Sequence, residues 1–250
     1  MSDPSPKAIA AALERTLRAQ ADPVRAVNEA RYLKSALEHL GVRVPAVRRA
    51  TREAVRAAEL APATLRALVD ALWARRIHEC RLAGVELLVA ASVRLGPTDL
   101  PWLERLCREA RTWALLDPLA AHVLGPLRER HLGAGRELDG WIADADFWIR
   151  RAALLSCGVA LREGRGDLAT FGALAEPLLG EREFFIRKAI GWVLRDASKR
   201  RPVEVAAWLL PRATRAAPLT VREAVKHLPA RDRQAILAAA GLGGPRRGSA

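Results

Sequence analysis

The chain has 250 residues, half of them hydrophobic and 28% charged. That composition excludes a mostly disordered chain and leaves room for a sizeable core in one or two domains. Lys and Arg number 41 against 28 Asp and Glu, a formal net charge of +13, which points to an anionic partner, most simply nucleic acid. Only five of the basic residues are lysines: Lys7, Lys34, Lys188, Lys199 and Lys226. Codon bias in a GC-rich genome accounts for Arg over Lys, but not for the excess of bases over acids.

Nothing reads as a secretory signal. Met1–Gln20 carries Asp3, Glu14 and two arginines without an apolar stretch. No apolar run approaches the roughly 20 residues that span a bilayer. Cys80, Cys107 and Cys157 stand far apart with no CxxC pair, and five scattered histidines show no ligand spacing. The cysteines read as small core residues in a reduced cytosolic protein, with no metal and no cofactor expected. Melting is accordingly expected to be insensitive to chelator and reductant.

In chain order, Ala8, Ala11, Ala12 and Leu17 begin one apolar helical face. Val27, Ala30, Tyr32, Leu33, Leu37 and Leu40 continue a second. Gly and Pro then recur from Gly41 and Pro45 to Pro218 and Pro229, so helices of about 10–18 residues are joined by short loops. Asp22-Pro23 and Asp117-Pro118 each have the form of an N-cap followed by Pro at the first helical position. Thr98-Asp99-Leu100-Pro101 opens another helix. There is one Tyr and no run of alternating β-branched residues, so strands are not expected.

The helices repeat. Phe147-Trp148-Ile149-Arg150-Arg151-Ala152-Ala153 is echoed 37 residues on by Phe184-Phe185-Ile186-Arg187-Lys188-Ala189-Ile190. Val221-Arg222-Glu223-Ala224-Val225 follows 35 residues later, and Ile77–Ala83 is a weaker earlier copy. This period predicts an all-α fold: an α-solenoid of HEAT-like repeats forming a curved shell with a concave basic face. One such domain is expected over 7–240, with 1–6 and 241–250 disordered. Arg151, Lys188 and Arg222 open equivalent helices. Either they line one face as a positive track, or they are solvated and pair with Glu181, Glu183 or Glu223.

Trp73, Trp102, Trp141 and Trp208 sit among leucines and alanines at helical spacing and read as core. Trp148, beside Phe147, reads the same way. Trp113 and Trp192 lie by charged segments, where an indole suits sugars, bases or a cation. Asp117 follows Trp113 by four residues, which on a helix places both on one face. Two readings of Asp117 stand side by side: a helix N-cap, held out of the helical region by Pro118, or a catalytic carboxylate.

The segment Phe184-Phe185-Ile186-Arg187-Lys188-Ala189-Ile190-Gly191-Trp192-Val193-Leu194-Arg195 closely resembles the F-F-I-x-K-A-I-G-W-x-L-R signature of DNA alkylation-repair proteins of the AlkD type, which are DNA glycosylases with HEAT-like repeats. Ala30-Arg31-Tyr32-Leu33-Lys34, Gly41-Val42-Arg43-Val44-Pro45, Trp113 to Asp117, Arg151-Ala152-Ala153 and Arg222–His227 resemble further motifs of that family in the same order. The resemblance covers roughly residues 7–235.

It implies that Asp117 is the catalytic carboxylate. Trp113, Trp192 and Tyr32 would form an aromatic cleft around the damaged nucleotide, and Arg151 would grip the backbone beside it. Lys188, Arg187, Arg195, Lys34, Arg48, Arg222 and Lys226 are the further DNA contacts expected. The implied activity is excision of cationic N3- and N7-alkylated purines from double-stranded DNA, with the lesion handled inside the duplex. A monomer in the bacterial cytosol or nucleoid, with no membrane partner, is expected. Two departures from the family pattern stand out: Ala114 where the family often has Asp, and Pro118 directly after the catalytic position. They leave a non-catalytic damage-binding protein as one alternative. A protein-binding HEAT scaffold is the other, against which the strongly basic balance argues.

Overall fold

The computed structural model describes residues 5–56 and 61–243. The tails expected at 1–4 and 244–250 lie outside the described residues. Those described are helical, with an isolated parallel bridge between Glu38 and Ile77 and no strand. None of these helices is long and apolar enough to cross a membrane. They are α1 (Pro6–Arg18), α2 (Pro23–Leu33), α3 (Val44–Val55), α4 (Pro62–Trp73), α5 (His78–Ala90), α6 (Leu100–Ala110), α7 (Trp113–Leu119), α8 (Gly125–Arg130), α9 (Leu132–Gly140), α10 (Phe147–Ser156), α11 (Gly158–Arg162), α12 (Leu168–Ala175), α13 (Phe184–Ala197), α14 (Pro202–Leu209), α15 (Pro218–Ala224) and α16 (Ala230–Ala239). The chain divides into two compact units: Met1–Gly96 with Glu109–Leu119, and Pro97–Arg108 with Ala120–Ala250.

In the first unit α1 packs on α3 and α4, and α5 packs on α3, α4 and α7. Leu13, Leu17, Leu68, Leu72, Leu88 and Leu115 fill its core, all nearly inaccessible to solvent. Local signals are realised at α1 and α2. Ser5 caps α1, and the Asp22 side chain accepts from the Arg25 amide with Pro23 at the first helical position. The second apolar face ends earlier than its periodicity suggested. Lys34, at φ 49°, closes α2 in a left-handed turn, and Leu37 and Leu40 belong to the following loop.

In the second unit the repeats become helices packed side by side, α10 on α13 and α13 on α15. Arg151, Lys188 and Arg222 each stand fifth in their helix. Close approach is possible because Gly191 has no side chain: a Cβ there would come within 2.6 Å of the Glu223 Cβ and 3.0 Å of the Thr220 carbonyl oxygen. Trp73, Trp102, Trp141 and Trp148 are buried, as their surroundings implied. Trp208 is only half-buried. It lies against Gly172, with the Arg212 guanidinium 4.8 Å from its ring. All three cysteines are buried and free, and burial pushes the thiols of Cys80 and Cys107 up to about 12.

Candidate active site and nucleic-acid interface

Asp117 does not cap a helix. The capping position is Thr112, whose carbonyl accepts from the Leu115 and Leu116 amides. α7 therefore begins at Trp113, and Asp117 is its fifth residue, half-buried, with Pro118 inside the helix. The Asp-Pro pair is overruled by the burial of Leu115, Leu116 and Leu119, which requires the helix to start a turn earlier. The proline leaves the Ala114 carbonyl without its usual amide donor, and the chain then passes into a π turn, Ala120–Leu124. Such turns are uncommon and frequent at functional sites.

Trp113 and Asp117 share one face of α7 through their four-residue spacing. The Tyr32 ring, 73% exposed, meets the Trp113 ring edge-on at 6.0 Å. Tyr32, Trp113 and Asp117 all belong to the first unit. Lys34 and Arg48 are exposed in the same unit, Arg48 pairing with Glu86 at 2.9 Å.

Trp192 and Arg151 belong to the second unit. Three cations surround the Trp192 ring: Lys188 at 5.5 Å, Arg151 at 5.6 Å and Arg195 at 5.8 Å. They differ in access. Arg222 is exposed and Lys188 half-buried, but Arg151 is only 1% exposed. The expectation that equivalent positions form one solvent-facing row therefore fails at Arg151. Its guanidinium donates to the Phe185 carbonyl and packs against the Phe185 and Trp192 rings. Arg187 turns back to the Glu181 carbonyl at 2.7 Å.

The alternative pairing with an acid is also realised. Glu223, 5% exposed, accepts from Lys188 at 2.7 Å, Arg195 at 3.2 Å and Lys226 at 2.6 Å. Burial alone raises a carboxyl pKa, but the hydrogen bonds and charges of Lys188 and Lys226 override it and hold Glu223 at about 2. A carboxyl lowered in this way from an ordinary 4.5 contributes stability above pH 4.5 that is lost as the pH falls towards 2. The melting temperature of the wild type is therefore expected to fall more steeply over that window than that of Glu223→Gln, and the two to converge near pH 2. Parallel curves would refute this account of the cluster.

Sequence reading missed a second polar cluster in the first unit. Glu79, wholly buried at the start of α5, accepts from the amides of Leu40, Gly41 and Val42 at 2.7–3.1 Å. Gly41, at φ +76°, allows this loop to turn; a Cβ there would fall 2.2 Å from the Asp22 carbonyl oxygen. His39 stacks on His78 with ring centroids 4.5 Å apart. Histidines without ligand spacing along the chain are thus adjacent in the fold.

A family model described as DNA alkylation repair enzyme matches residues 13–228. The chain belongs to the DNA alkylation repair enzyme family. The match spans Tyr32, Trp113, Asp117, Arg151 and Trp192, so both aromatic–charged clusters lie inside the matched range. A solved structure of a predicted DNA alkylation repair enzyme from Enterococcus faecalis has the same fold, with a TM-score of 0.74 at 22% identity, over 84% of this chain and 98% of that one. No curated protein matches the sequence. The family's activity implies DNA as the substrate of this DNA alkylation repair enzyme family member, in keeping with its charge of +13.

Proposed function

We propose that the protein is a DNA glycosylase that removes N3- and N7-alkylated purines from duplex DNA by hydrolysing the N-glycosidic bond. The observation that carries this reading is the placement of Asp117 on α7, one helical turn beyond Trp113 and its Tyr32 neighbour.

The chemistry asks little of the protein. An N3- or N7-alkylated purine is cationic, so it departs with the glycosidic electron pair as a neutral base and needs no general acid. The sugar left behind gains oxocarbenium character. A carboxylate stabilises that charge and orients the water that adds at C1′ and gives up a proton, as carboxylates do in glycoside hydrolysis. A carboxylate anion suits both tasks. Exposed aromatic faces add about 0.5–2 kcal/mol of attraction for a cationic base or its sugar. Trp192, ringed by cations, suits the anionic backbone better than a cationic base. Lys188, Arg195, Arg222 and Lys226, with Lys34 and Arg48 in the first unit, supply phosphate contacts. The protein acts as a monomer with a lesion still within the duplex.

The decisive measurement is release of N3-methyladenine and N7-methylguanine from duplex DNA, wild type beside Asp117→Asn. Retained binding with no release by the wild type would make it a damage-binding protein instead. Binding itself is expected to weaken steeply with salt, with a logarithmic slope of about −0.9 per neutralised phosphate. A mobility shift indifferent to salt between low and moderate ionic strength would remove the basic surface from the account.

A further inference from the structure

We propose that Glu29, His39 and Glu79 form a binding site for one divalent transition-metal ion, of which zinc is the type, tying α2, the loop after it and α5 together. These residues lie 10 and 40 positions apart in sequence, and the fold brings one ligand atom from each within 4.8 Å of the others. His39 Nδ1 lies 3.8 Å from Glu29 Oε2. Metal–ligand bonds of about 2.0–2.2 Å set neighbouring ligand atoms about 3–3.5 Å apart. Small side-chain movements are thus enough to close the triad around an ion.

The independent observation is unsatisfied polarity. The His39 side chain is only 1% exposed, and neither of its ring nitrogens has a hydrogen-bond partner. Glu29 Oε2 is also buried without one. Burying such atoms unpaired costs about 1–3 kcal/mol each, and a cation placed between Nδ1 and Oε2 answers two of them at once. The third ligand is already oriented. Glu79 Oε1 takes the amides of Leu40, Gly41 and Val42, whereas Oε2 takes only that of Leu40, which leaves Oε2 a lone pair. Metal-ligating carboxylates are characteristically held by hydrogen bonds of this kind. One imidazole and two carboxylates is a donor set for zinc, manganese or cobalt rather than for soft ions. Glu29, with its side chain 20% exposed, gives the ion a way in.

The site has a bearing beyond stability. Glu29 lies one turn before Tyr32 on α2, so an ion there would fix the segment that carries Tyr32 to Trp113. It also departs from the sequence reading, in which the spacing of the histidines supports no metal.

The test uses the full chain, stripped with chelator and dialysed, then titrated with zinc by calorimetry and with cobalt by visible absorption. One equivalent should bind, with cobalt d–d bands. The melting temperature should rise by about 5–10 °C when free zinc is about a hundred times its Kd. Glu29→Gln and His39→Asn should each abolish both effects. Glu29→Gln serves as the principal variant because its partly exposed side chain lets the protein fold without it. No saturable binding by the wild type, or equal binding by wild type and Glu29→Gln, would overturn the proposal. The second result would place any ion elsewhere.

Discussion

Asp117→Asn is expected to slow single-turnover release of N7-methylguanine from duplex DNA by about 100–1000-fold, the usual cost of removing one preorganised electrostatic group, while the protein stays folded and still binds DNA. Asn is nearly isosteric with Asp, and the two have similar helix propensities. Asp117 sits inside α7 and caps nothing, so no N-cap is lost. What disappears is the negative charge that would stabilise the developing oxocarbenium ion. A melting curve and a mobility shift on the same preparation separate lost chemistry from lost fold. Near wild-type release by the folded variant would remove Asp117 from the mechanism and with it the assignment of the site.

The largest effect on stability is expected from Arg151→Ala, a loss of about 3–5 kcal/mol from truncating a large buried side chain in the core. At this chain length that lowers the melting temperature by about 6–20 °C. Arg151 is among the largest fully buried side chains, and its guanidinium serves the Phe185 carbonyl and two rings. Lys cannot reproduce the planar fork, so Arg151→Lys should remain well below wild type. Met restores apolar volume without a buried charge, and Arg151→Met should recover part of the loss. An Ala variant that melts with the wild type would mean that this side chain does not hold α10 to α13.

Asp22-Pro23 and Asp117-Pro118 mark what could be read from the chain alone. The same dipeptide caps α2 in one place and lies within α7 in the other, because the leucines around Asp117 reward burial more than a cap contributes. Helical period, repeat spacing and most buried tryptophans were legible because each follows from neighbouring residues. The burial of Arg151 was not, since the ring and carbonyl that enclose it lie 34 to 41 positions away. Glu79 looked like one more acid in a weak repeat; only the fold sets it against three amides of a distant loop. The spacing of Trp113 and Asp117 did carry into the structure, and the resemblance, not the spacing, suggested what it is for.

In the DNA-binding role proposed for its neighbours, Glu223 would be an internal stand-in for phosphate. Lys188, Arg195 and Lys226 are already gathered around one carboxylate, so less rotamer entropy would be lost on replacing it with a phosphate. In the proposed complex a phosphate would have to displace the tethered Glu223 carboxylate to reach any of the three.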